Sequence, residues 1–215
     1  MNKKITCFLS YSHCNENERK YTNIKEILTK SNNYVNYSEN KDKSAFSNET
    51  IWNHLHDRIC GSSCTIVLLT KDLVTYNKQK IEYKTYDFLN SGWVYNEISA
   101  SLRDWNNNRI NGIVCVYDDA LFESIEVIFP IENTIYGKYI YGIPEYQIPE
   151  IITENKDYIV FASYSDFIRN HQYYIEEAYK RRENQIKSMG NAYKIVYDLH
   201  NAKKYWFWIN RCSFK

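Results

Sequence analysis

The segment Thr65–Thr70, TIVLLT, is the run on which the fold turns. It places four consecutive apolar residues between two threonines, with no charge and no polar/apolar alternation. A strand with one wet face alternates, whereas a strand covered on both faces reads as a continuous apolar run, and such strands belong to parallel sheets flanked by helices. Asn111–Tyr117, NGIVCVY, has the same character. A third run, Lys4–Tyr11 or KITCFLSY, ends in small polar residues, as a buried parallel strand does where it empties into a loop.

Working outward, Tyr34–Tyr37 supplies a further strand and Asp157–Ala162, DYIVFA, a fifth. Helical patterns separate them. Glu18–Ser31 gathers Tyr21, Ile24, Ile27 and Leu28 on one face, and a second helix carries the stripe Ile51, Leu55 and Ile59 behind a cap at Ser47 or Asn48. Ser91–Trp105, SGWVYNEISASLRDW, is a third, and Ser165–Ser188 a long charged fourth. Strands of about six residues alternating with helices of a dozen or more predict an α/β fold: a five-stranded parallel sheet with helices on both faces, joined by right-handed crossovers. The segment 118–156 holds all three prolines and two of the six glycines and reads as an insertion of irregular or hairpin structure. The tail, with YKIVYDLH and YWFWI, is too aromatic to remain unpacked and is expected to lie on the domain or on a partner. The organisation is therefore one domain over 1–188, including the insertion, with a C-terminal extension over 189–215.

Lys and Arg number 27 against 26 Asp and Glu, a net charge of +1, so bulk electrostatics favour neither nucleic acid nor an anionic membrane. The N-terminal MNKKITCFLSYSH lacks the apolar core of a signal peptide, and no apolar run approaches the roughly 18 residues of a membrane span. A cytoplasmic protein is expected. Its six cysteines then read as free thiols. The spacing of Cys60 and Cys64 with His54 and His56 matches no recurrent zinc site, so no metal is expected.

In an open parallel sheet the ligand crevice lies outside the carboxyl ends of the strands. That rule gathers Ser10–Glu16, Ser38–Phe46, Lys71–Gly92 and the start of the insertion at Asp118. The helix from Ser91 begins at the end of the third loop. With Val94, Ile98, Leu102 and Trp105 toward the sheet, a rotation of about 100° per residue sets Glu97 about 60° from Val94, on the flank of Trp93. Glu97 is then either a solvated acid, favoured near a helix N-terminus by the helix dipole, or a carboxylate at the margin of the crevice. Periodicity leaves both open. The sequence carries no Gly-rich phosphate loop, no paired-carboxylate arrangement and no Ser/His/Asp ordering to decide between them.

Three stretches, FLSYSH at Phe8–His13, TIVLLT at Thr65–Thr70 and above all WVYNEI at Trp93–Ile98, resemble in order and spacing the TIR-like domain of bacterial ThsB proteins, the sensors of Thoeris anti-phage defence. The resemblance spans roughly residues 3–118 and implies a flavodoxin-like fold and an enzyme that cleaves NAD as substrate, with no resident cofactor. It implies that Glu97 is catalytic, and that Phe8, Ser10, Tyr11, Ser12, His13 and Trp93 form the substrate-binding set. Tyr11 and Trp93 are read either as flat surfaces for nicotinamide or adenine or as core and rim aromatics. Ser10, Ser12 and His13 are either phosphate or ribose contacts or ordinary loop caps. A cyclic ADP-ribose isomer acting on a separate effector, a phage protein as trigger and self-association of the domain are further implications. The alternatives are an assembly module without turnover, and a nucleoside N-glycosidic enzyme such as a deoxyribosyltransferase. The loop from Lys71 to Gly92 is longer than the family pattern, and the insertion and the tail lie outside it.

Overall fold

A computed structural model of the chain describes residues 4–12, 15–31, 34–36, 48–70, 92–103, 109–119, 150–153 and 155–189. Within them the strands are β1 (Ile5–Ser10), β2 (Tyr34–Asn36), β3 (Cys64–Leu69), β4 (Gly112–Tyr117) and β5 (Val160–Ser163). The helices are α1 (Asn15–Lys30), α2 (Asn48–Gly61), α3 (Gly92–Ser101), α4 (Glu150–Thr153) and α5 (Tyr164–Met189). Every strand pair is parallel, and the order across the sheet is β2-β1-β3-β4-β5. This is the flavodoxin-like order, whose topological switch lies between β1 and β3.

The apolar run of β3 is explained by its position at the centre of that sheet. Ile66 and Leu68 point to a cluster that holds Tyr21, Ile24 and Leu28 of α1 with Phe167, Ile175 and Ala178 of α5. Val67 and Leu69 point the other way, to Val94, Ile98 and Leu102 around α3 and to Ile151 and Ile152 of α4. Both sets are buried, so neither face tolerates the polar alternation of a half-exposed strand. Helix α2 packs on the α3 side, with Leu55 and Ile59 of its stripe buried.

Helix α5 lies flush on β4. A Cβ added at Gly112 would overlap the backbone carbonyl of Ala178, and backbone cannot swing aside as a flexible side chain would. Gly112→Ala is therefore expected to destabilise the protein by ~1–3 kcal/mol through overpacking. Denaturant titration reads this as a lower midpoint, and an unchanged midpoint would mean that the helix sits further from the strand than described.

Helix α1 opens at Asn15 rather than Glu18, β3 is shifted by one residue to Cys64–Leu69, and the differences at β5 and α3 have visible causes in hydrogen bonding. The fifth strand begins at Val160 rather than Asp157, because the amides of Tyr158 and Ile159 both donate to the carbonyl of Asn155, at 3.0 and 2.9 Å, and hold the preceding residues in a turn. Helix α3 closes at Ser101 rather than Trp105, where the Asn111 amide takes the Ser101 carbonyl at 2.7 Å. The end of the insertion carries the short helix α4. The rest of the insertion, the long loop after β3, Trp105, and the tail beyond Met189 lie outside the described residues.

Candidate active site

The site is built from the carboxyl ends of β1 and β3. Alternation along β1 sends Cys7 and Leu9 into the α1/α5 cluster, so Phe8 and Ser10 face the opposite layer, where α3 lies. Ser10 is in register with Val67 and fully buried. Its hydroxyl donates to Oε2 of Glu97 at 2.5 Å. Glu97 itself is only 7% exposed, so the acid that periodicity set at the helix margin is inside the protein. A buried carboxylate is costly unless hydrogen-bonded, and a short hydroxyl–carboxylate bond is of the strong, charge-assisted kind.

Beside this pair a buried amide crosses the topological switch. Asn17, in the first turn of α1 and 2% exposed, donates through Nδ2 to the carbonyl of Ser12 at 3.1 Å and to Thr70 Oγ1 at 3.0 Å. It ties the exit of β1 to the exit of β3. On the α1/α5 face, Lys20 forms an ion pair with Asp118, the residue that follows β4, and its ammonium lies 5.8 Å from the ring centroid of Tyr164. Asp119 accepts from the amide and hydroxyl of Ser165, at 3.0 and 2.5 Å, and Ser163 caps α5 by accepting from the Asp166 amide at 3.1 Å. The exits of β1, β3, β4 and β5 are thereby joined to the N-terminal halves of α1 and α5.

Of the expected site residues, Ser10 and Glu97 are in direct contact and Ser12 is held close by through Asn17. Tyr11 goes elsewhere. Its ring stacks on Tyr21 of α1, with centroids 4.1 Å apart and planes at 19°, on the face of the sheet away from Glu97. Phe8 is 1% exposed and serves as packing below Ser10, not as a surface open to a ligand. Trp93 belongs to the first turn of α3, one helical turn before Glu97, but its side chain and the whole of His13 lie outside the described residues. Asn17 and Thr70 are site residues that the sequence reading missed. Asn17 stands among Asn15, Glu16 and Glu18, and no spacing separates it from them.

The described thiols Cys7, Cys60, Cys64 and Cys115 are free. Contact with Cys64 and burial push the Cys7 thiol well up, burial raises Cys115, and burial with Asp57 nearby pushes Cys60 up to about 12. A protonated thiol is a poor nucleophile. Among the described residues no three His, Cys, Asp or Glu side chains come together as metal ligands. No described helix is long and apolar enough to cross a membrane.

A parallel sheet in flavodoxin-like order, helices on both faces and a buried carboxylate at the switch point define a flavodoxin-like α/β domain with a candidate site at its strand exits. The chain matches the family model of the Thoeris protein ThsB, TIR-like domain, over residues 8–121. That is more than half of its 215 residues, and the chain belongs to this family. It is also similar to a solved prokaryotic SEFIR domain at 14% identity, with 85% of this chain and 99% of that chain covered and a TM-score of 0.38.

Proposed function

We propose that the protein cleaves NAD between nicotinamide and ribose and passes the ADP-ribosyl group to an internal acceptor, giving a cyclic ADP-ribose isomer that activates a separate effector. The observation that carries this reading is the buried Glu97 carboxylate at the switch point, bonded to Ser10. Membership of the ThsB TIR-like family supports it.

The chemistry suits a single carboxylate. Nicotinamide is bound to ribose as a cation, and when the C1′–N bond breaks the electron pair leaves with the ring, which departs neutral. No general acid is needed, unlike ordinary glycoside cleavage with its two carboxyl groups. Positive charge develops on the ribose instead, and a preorganised carboxylate in a desolvated cleft stabilises that charge where it forms. Glu97 supplies the carboxylate, and Ser10 orients it until a ribose hydroxyl takes over the bond. Capture by an internal nucleophile closes the ring, whereas capture by water gives linear ADP-ribose. Ser12, with His13 and Trp93, completes the substrate-binding set in this reading.

Incubating purified protein with NAD and a lysate of phage-infected cells, then resolving nicotinamide and nucleotide products by chromatography, tests the reaction. Nicotinamide release supports it. Release of base from deoxynucleosides but not from NAD would replace it with a deoxyribosyltransferase-like reaction, and no release from either would leave an assembly module. The trigger is proposed to be a phage protein, and the crevice to be completed by a second copy of the domain. Turnover per molecule should therefore rise with protein concentration. A dilution series with constant specific activity would mean a self-contained monomeric site.

A further inference from the structure

One turn beyond Glu97, at the C-terminal end of α3, the helix is fastened to the sheet by a buried line of hydrogen bonds. Asn111 Nδ2 lies within donating distance of Thr65 Oγ1 at 3.1 Å, Ser62 Oγ at 2.8 Å and the Ile59 carbonyl at 3.2 Å, the Thr65 and Ser101 hydroxyls lie 2.7 Å apart, and Ser101 Oγ donates to the main-chain carbonyl of Glu97 at 2.7 Å. A serine hydroxyl has one hydrogen. Since that of Ser101 goes to Glu97, Thr65 must be the donor in the middle link. Thr65, Ser101 and Asn111 are each no more than 2% exposed, and the Asn111 carbonyl is in turn held by the Tyr158 hydroxyl at 2.6 Å.

The spacing of this fastening matches that of the site. Thr65 is in register with Phe8, and Ser10 is in register with Val67, two residues further along β3. Two residues of strand rise by ~6.6 Å. Ser101 and Glu97 are four residues apart on one face of α3, a rise of ~6 Å. Helix and sheet are therefore joined at two points of equal separation: Thr65 to Ser101 at the foot, and Ser10 to Glu97 one turn above. Apolar contact between Val94, Ile98, Leu102 and the sheet is non-directional and does not by itself fix where a helix stands along its axis. Directional bonds do.

We propose that Thr65 and Ser101 are positioning residues that set the axial placement of α3, and so deliver the Glu97 carboxylate to Ser10 and to the substrate. Their effect on turnover rests on the NAD-cleaving reading given above; their effect on the Ser10–Glu97 contact does not. The test uses Thr65→Val, which keeps the side chain's shape without its hydroxyl, Thr65→Ser, which keeps the hydroxyl, and Ser101→Ala.

Two measurements are made on the full chain. The first is the coupling between Ser10 and Glu97, from a double-mutant cycle of Ser10→Ala and Glu97→Ala in unfolding titrations, run in the parent, Thr65→Val and Thr65→Ser backgrounds. The second is kcat and KM for NAD in the parent, the two Thr65 variants and Ser101→Ala. Loss of at least half of the coupling in Thr65→Val, with retention in Thr65→Ser, is expected. So is a fall in kcat of about tenfold or more for Thr65→Val and Ser101→Ala at little changed KM, because small misplacements of a catalytic group are costly. Undiminished coupling in Thr65→Val overturns the proposal. Should Thr65→Val fail to fold, the same cycle in the Ser101→Ala background decides in its place. Lost coupling in a protein that does not cleave NAD at all would sustain the positioning role and sink the reaction instead.

Discussion

Glu97→Gln is expected to lower kcat for nicotinamide release by at least ~10²-fold, about 3 kcal/mol of transition-state stabilisation, while NAD binding survives. The reason is differential: a carboxylate beside a neutral ribose contributes little to binding, and beside a ribosyl cation a great deal. Gln retains an oxygen that accepts from Ser10 Oγ, so the contact described at 2.5 Å persists in altered form and unfolding stability should stay within about 1 kcal/mol of the parent. Under the reading that Trp93 offers a flat surface to the substrate, Trp93→Ala is expected to behave in the opposite sense, weakening NAD binding more than kcat, because such a contact is made before the bond breaks. Single-turnover kinetics with NAD binding on both variants separate the two effects. A Glu97→Gln protein that releases nicotinamide at the parent rate removes the catalytic role, and one that does not fold makes the residue structural.

Leu68→Ala should cost ~2–5 kcal/mol of stability. Leu68 is fully buried on the central strand β3, in the cluster shared by β1, β4, α1 and α5, so the truncation leaves a void walled by strands and helices that cannot close independently. The lost burial of methyl groups and the unfilled space add. Denaturant unfolding measures it as a lower midpoint with an unchanged slope. A cost under 1 kcal/mol would mean that the core collapses around the void, contrary to the packing described on this face.

What the sequence revealed and what it concealed follow from the range of each interaction. TIVLLT and NGIVCVY were legible because burial on both faces writes itself into every residue of a strand, and the structure has β4 within the second run and β3 displaced from the first by one residue. The stripes on α1 and α3 were legible for the same reason. Glu97 was not, because its burial depends on Ser10, which is 87 residues away. Helical periodicity gives an angle about the α3 axis but no knowledge of which strand end lies opposite. Asn17 was hidden similarly, since its bonds to Ser12 and Thr70 are set by the parallel alignment of β1 and β3 and not by local pattern. Tyr11 was assigned to the crevice by its place in the motif, but the alternation of β1 carries it with Leu9 to the α1 side. The start of β5 was misjudged because Tyr158 and Ile159 have strand-like side chains, yet a turn around Asn155 uses their amides.

The contact between Ser10 and Glu97 spans most of the domain's wiring: one residue closes the first strand, the other belongs to the helix after the third, and both stand correctly only when β3 lies beside β1. No contiguous piece of chain short of that assembly contains half a working site. Formation of the site is consequently coupled to folding, and the Ser10–Glu97 contact exists only in molecules whose β1 and β3 have found each other. For a sheet built entirely from non-local pairings that search is slow, which makes the Ser10–Glu97 contact a gauge of native topology.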